Sequence, residues 1–148
     1  MSFLVKLDNE EGQLRSCIFT GDILFVNAVG RPDLHNMARE FATKLYDTYQ
    51  SKILEYRDDT IVLPAHFDTD SIAVKHNELI FETIGSIKRK VKLLSISKND
   101  FIEFMVSSVT PRPANYEKII QINKQLTPCD RINIGDLEEG PNSCAIRM

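Results

Sequence analysis

Short apolar runs dominate the first third of the chain, and more widely spaced apolar stripes follow. Phe3-Leu4-Val5-Lys6-Leu7 reads as a strand, Asp8-Asn9-Glu10-Glu11-Gly12 as a turn, and Leu14 to Phe19 as the hairpin partner. After Thr20-Gly21-Asp22, a further run from Ile23 to Val26 predicts a third strand. Gly30-Arg31-Pro32-Asp33 then reads as a tight turn, and Pro32-Asp33-Leu34 opens a helix, since proline suits a first turn and an acid there favours the helix dipole. Met37, Phe41, Leu45, Ile53 and Leu54 recur at mostly helical spacing, so that face should be buried, with Tyr46 and Tyr49 at its edge. Thr60 to Pro64 is a short apolar strand that runs straight into Ala65-His66-Phe67-Asp68.

Beyond residue 75 the pattern turns mainly helical. Glu78 to Phe81 reads as a strand or a helix start, and Ile84 to Leu94 carries the basic cluster Lys88, Arg89, Lys90 and Lys92. Ser97 and Asp100 bracket the start of a capped helix over Phe101 to Val106. Pro111-Arg112-Pro113 interrupts the chain, Tyr116 to Leu126 predicts another helix, and the segment from Thr127 is rich in turn formers. No repeat and no low-complexity linker appears. At 148 residues this is one domain's length. The expected organisation is a single partial domain, with a strand and helix part over 1–75 and a mainly helical tail over 76–148.

Composition narrows the function classes. A net charge of -3 argues against a nucleic-acid surface held by bulk electrostatics, and the basic cluster reads as a solvated helix face rather than an anion or RNA contact. No apolar run approaches the roughly 20 residues that span a bilayer, and no signal-like core follows Met1. Three cysteines, Cys17, Cys129 and Cys144, without CxxC spacing suggest a reducing compartment, so cytoplasm is the expected location.

Two strand-end groups stand out as chemistry. Asp22 and His66 each follow a short apolar strand, with a helix between them, and ligands in α/β arrangements gather where strand-end loops meet. Both residue types bind zinc or iron. The plainer reading makes Asp22 a turn cap and His66 a partly buried loop histidine, and spacing leaves both open.

The stretches FTGDILFVNAVGRPDL and KLYDTYQSKILEYRDDTIVLPAH add a resemblance. In order and interval they resemble the C-terminal half of a metallo-β-lactamase-fold protein, in the glyoxalase II-like and persulfide dioxygenase-like branch. PANYEKIIQINKQ is similar, more loosely, to that branch's terminal helix. The resemblance implies an α/β fold, half of an αββα sandwich with a mixed sheet and a helical C-terminal tail. It implies metal-ligand roles for Asp22 and His66, and an Arg31 that holds the anionic end of a glutathione-derived substrate, with Asp33 orienting Arg31 or capping the next helix. A structural Arg31–Asp33 pair that pins the turn is the competing reading.

The branch's remaining ligands lie in an upstream HxHxDH motif and a further histidine, and neither precedes Asp22 here. The three histidines are His35, His66 and His76, and His76 reads as a lone surface residue. Two ligands fall short of the three protein ligands of a catalytic zinc site. The expectation is therefore an excised or shortened part of a metal-dependent thioester hydrolase or persulfide dioxygenase, inactive alone, with iron or zinc in the complete fold and none necessarily in this chain. The alternative is a non-catalytic binding or assembly module. In either case a bare apolar sheet face would favour a homodimer or association with a missing N-terminal half.

Overall fold

The computed structural model of the chain describes residues 2–8, 14–33, 36–67, 77–110, 115–126, 133, 137 and 145–148. The turn read over 9–12, His35, His76, the Pro111-Arg112-Pro113 interruption, Cys129 and Cys144 lie outside them. Two compact units divide the chain, Met1–Val109 with Cys144–Met148, and Thr110–Ser143.

The first unit is built on a mixed sheet. Strand β1 (Phe3–Asp8) pairs antiparallel with β2 (Leu14–Gly21), as the two apolar runs either side of a turn predict. The predicted third strand over Ile23 to Val26 does not form. Gly21 turns out of the sheet at φ 57, and the run folds into a tight loop in which only Leu24 makes a single bridge, to Val29. The run is apolar because Leu24, Phe25 and Val26 are buried, not because they extend a sheet. Its return leg, β3 (Val29–Gly30), pairs instead with a two-residue strand near the chain end, described below.

Helix α1 (Ala38–Thr48) begins later than Pro32-Asp33 predict. Asp33 is engaged by Arg31, and Asn36 takes φ 60, so the chain makes another turn before helix can propagate. After α1 the backbone widens into a π-helical turn, Tyr49–Ile53, closed by the Leu54 N–H donating to the Tyr49 carbonyl at 2.9 Å. The wide turn carries Tyr49 and Ile53 into the core, so Tyr49 is fully buried rather than at the edge of the helix.

Strand β4 (Ile61–Pro64) runs parallel to β2, and β5 (Glu82–Thr83) closes the sheet antiparallel to β4, giving the order β1-β2-β4-β5. The strand thus lies just after Glu78 to Phe81. Thr83 caps α2 (Ile84–Lys90) by accepting from the Ser86 N–H. The basic cluster ends α2, where cations suit the helix dipole, and Lys88 and Lys90 pair with Asp58 and Glu82. A 3-10 turn, Lys92–Ser95, leads to α3 (Lys98–Ser107). Ser97 caps α3 as expected, its Oγ accepting from the Asp100 N–H at 3.2 Å. The last strand of this unit is β6 (Ala145–Ile146), the partner of β3.

Alternation along β2 sorts the sheet faces. Ile18, Thr20 and Val62 point to the side covered by helices, where Ala42, Tyr49, Ile84, Ile87, Leu93, Phe101 and Met105 complete a core. Tyr49 meets the Phe101 ring edge-on at 6.1 Å between centroids. Helices α1 and α3 are also tied at the surface by Arg39 donating twice to the Glu103 carboxylate, at 2.7 and 2.9 Å. In the second unit, α4 (Tyr116–Asn123) forms where helical spacing predicts it and buries none of its residues.

Candidate metal and substrate site

Parallel pairing of β2 with β4 puts the C-terminal ends of both strands side by side. The register slips between Phe19 and Gly21, and the Ala65 N–H donates to the Gly21 carbonyl at 3.1 Å. The residues that follow the two ends, Asp22 and His66, therefore meet, with His66 Nδ1 in direct contact with Asp22 Oδ1. Their side chains are 60% and 47% exposed, so both open towards solvent. This is the strand-end meeting that spacing along the chain suggests.

The loop that carries Asp22 is held from below. Thr20, wholly buried, donates its hydroxyl to the Leu24 carbonyl at 2.7 Å, and the Ile23 N–H donates to the Thr20 carbonyl at 3.2 Å. The Ile23 carbonyl accepts twice, from the Gly30 N–H at 2.9 Å and from the Tyr49 hydroxyl. Gly30 lies so close that a Cβ there would sit 1.8 Å from the Asp22 carbonyl oxygen. Arg31 follows, and its Nε and Nη2 each donate to Asp33 at 2.9 Å in a bidentate, mostly buried pair. Asp33 thus orients Arg31 and does not cap α1.

A groove of about 510 Å³ opens beside this loop, lined by Gly21, Asp22, Ile23, Arg31 and Pro32 on one side and Phe41, Lys44, Leu45 and Thr48 of α1 on the other. Sequence reading misses the α1 wall, because Phe41 and Leu45 look like ordinary core positions. Both are half-buried and line the groove, and Leu45 also packs against the core. Tyr49 is also missed as a support of the Asp22 loop, and no motif marks it.

Among the described residues no group of three or more His, Cys, Asp or Glu side chains converges. The donor set fits zinc or iron as part of a site: one carboxylate oxygen and one imidazole nitrogen at a single point, short of a full set.

Burial pushes the Tyr49 phenol pKa well up, while the backbone at Gly30 pulls more weakly downward. A raised phenol pKa means that stability is fully present below the unfolded value, about 10, and is lost as pH rises above it. Wild-type protein should therefore lose stability progressively above pH about 10. Tyr49→Phe should be flatter in that window while losing about 1 kcal/mol at neutral pH, because its carbonyl partner keeps the Gly30 N–H. Urea unfolding from pH 8 to 11 measures this; parallel curves for the two proteins would contradict it.

No protein-family model and no curated protein matches the chain. Solved structures do. A metallo-beta-lactamase from Staphylococcus aureus subsp. aureus COL is 24% identical with a TM-score of 0.66, over 82% of this chain and 35% of its own. ETHE1 from Myxococcus xanthus is 25% identical with a TM-score of 0.58, over 78% of this chain and 49% of its own. The chain thus spans less than half the length of either of these two structures.

Proposed function

Since this chain is a metallo-β-lactamase-fold protein that covers only part of its neighbours' length, we propose that it supplies the aspartate–histidine side of a metal centre completed by ligands from outside it. The complete enzyme would be a metal-dependent thioester hydrolase or persulfide dioxygenase acting on a glutathione-derived small molecule. One observation carries this reading: Asp22 and His66 meet at the ends of adjacent parallel strands and face solvent together. Iron or zinc, when bound there, would supply Lewis-acid activation of a carbonyl, of water or of dioxygen. The chain's own part is to hold two donors at one point and to offer a cation beside them. Arg31 lines the groove next to Asp22, and its pairing with Asp33 fixes the guanidinium while the carboxylate offsets its positive field. It would fix the orientation of an anionic substrate end more than it would attract it.

The chain alone should turn over neither a glutathione thioester nor a glutathione persulfide above background, because two ligands hold a metal too loosely for catalysis. Assays of purified protein supplemented with iron or zinc test this. Turnover that disappears in Asp22→Ala would show that the chain carries a complete site. A second reading, a non-catalytic assembly module, is favoured by the open apolar face of the sheet, on which Phe3 and Phe19 are exposed.

A further inference from the structure

The loop that carries Asp22 leaves β2 through Ile23 and Leu24 and returns through β3. Its two legs pair with each other. Leu24 bridges Val29, the Phe25 N–H donates to the Ala28 carbonyl at 3.0 Å, and the Gly30 N–H donates to the Ile23 carbonyl at 2.9 Å. The return leg thus has one edge on Ile23 and Leu24. Its other edge is taken by β6, with Val29 opposite Ile146 and Gly30 opposite Ala145. A strand has two edges, so β3 is the middle one of three short segments.

That middle position depends on β6. Two paired segments alone are marginal in water, and a third strand or a packed apolar face is needed to hold them. Ile146 supplies both. It is 5% exposed, Val29 opposite it is wholly buried, and both belong to the core on the helical side of the sheet. Residues directly opposite on antiparallel segments share a face, so the Ile146 side chain ties β3 to that core beside Val29. Ala145 is exposed, so Ile146 is the anchoring residue of β6. Thr20 and Tyr49 hold the outgoing leg, at the Leu24 and Ile23 carbonyls, and β6 holds the return leg.

We propose that Ile146 is a positioning residue for the Asp22–His66 pair. It seats β3, and the Gly30 N–H of β3 fixes the Ile23 carbonyl. Gly30 packs so tightly against the preceding peptide that a Cβ there would lie 1.8 Å from the Asp22 carbonyl oxygen. Movement of β3 away from its seat frees the peptide on which the Asp22 side chain stands, and Asp22 leaves His66. Arg31, the residue after Gly30, moves with it. The consequence for metal binding rests on the proposed role of Asp22 and His66 as donors, whereas the positioning itself does not.

Nuclear magnetic resonance of the isotope-labelled chain, first without metal and then with zinc, tests the proposal. In metal-free Ile146→Ala, deuterium exchange at the Ile23 and Gly30 amides should speed up by a larger factor than at Met105 in α3, and the His66 ring signals should shift. Ile87→Ala, a core truncation in α2 beyond the edge strand β5, should speed these amides together and leave the His66 ring signals in place. With zinc, affinity read at the His66 ring should fall about 10–100-fold in Ile146→Ala, as for loss of other groups that orient a ligand. Ile146→Val should show the same pattern at smaller amplitude, and it serves if Ile146→Ala does not fold. Loop amides and His66 signals that stay unmoved, or that move no more than in Ile87→Ala, overturn the proposal. Absence of zinc binding in the wild type would overturn the donor reading instead, and the metal-free comparison would still decide the positioning.

Discussion

Gly30→Ala should be among the most damaging single substitutions in the chain, although it adds only one methyl group. The added Cβ would lie 1.8 Å from the Asp22 carbonyl oxygen, 3.0 Å from its carbonyl carbon and 3.1 Å from the Ile23 carbonyl oxygen. All three are backbone atoms, and no side chain can rotate away to make room. Relief requires moving the Asp22–Ile23 peptide, which is held by Thr20, by the Gly30 N–H itself and by Tyr49. Overpacking a core costs typically about 1–3 kcal/mol, and a rigid clash of this depth belongs at or beyond the upper end. Denaturant unfolding should show a loss of at least about 3 kcal/mol, or no folded protein. A loss under about 1 kcal/mol would mean that the Asp22 loop is looser than these bonds imply. The substitution should also displace Asp22 from His66, so any surviving protein should lose the metal-binding behaviour predicted next.

Asp22→Ala and His66→Ala should each abolish zinc binding by the chain while leaving its stability nearly unchanged. Removing a group that merely supports a metal ligand costs about 10–100-fold in affinity, so loss of one of two ligands should cost at least about 100-fold. Stability should hold because both side chains are about half exposed, and neither fills the core. Arg31→Ala should behave in the opposite way. Its guanidinium is mostly buried against Asp33, so truncation leaves a buried carboxylate without its bidentate partner and lowers stability while sparing the two donors.

Much of this arrangement is legible in the residues. Short apolar runs mark β1, β2 and β4, and Ser97 with Asp100 marks the start of α3, because each signal is local. The meeting of Asp22 with His66 is legible because strand ends in an α/β pattern share one edge, although 44 positions separate the two. Where legibility fails, the deciding contacts are distant or ambiguous. Ile23 to Val26 has strand composition, yet its backbone groups bond within a loop closed by Gly30 and Tyr49. Apolar runs report burial before they report conformation. The π-helical turn that buries Tyr49 has no sequence signature, and β6 offers only Ala145 and Ile146 to read. The groove is hidden because Phe41 and Leu45 obey the same helical spacing as any core pair.

The central claim is that Asp22 and His66 form one part of a metal site, and titration of zinc into isotope-labelled chain, followed by nuclear magnetic resonance, tests it most directly. The predicted result is weak, saturable binding that shifts the His66 ring and the amides of Gly21, Asp22 and Ile23, and that vanishes in both Asp22→Ala and His66→Ala. Zinc binding that leaves those signals unmoved, or that persists in both variants, would contradict it.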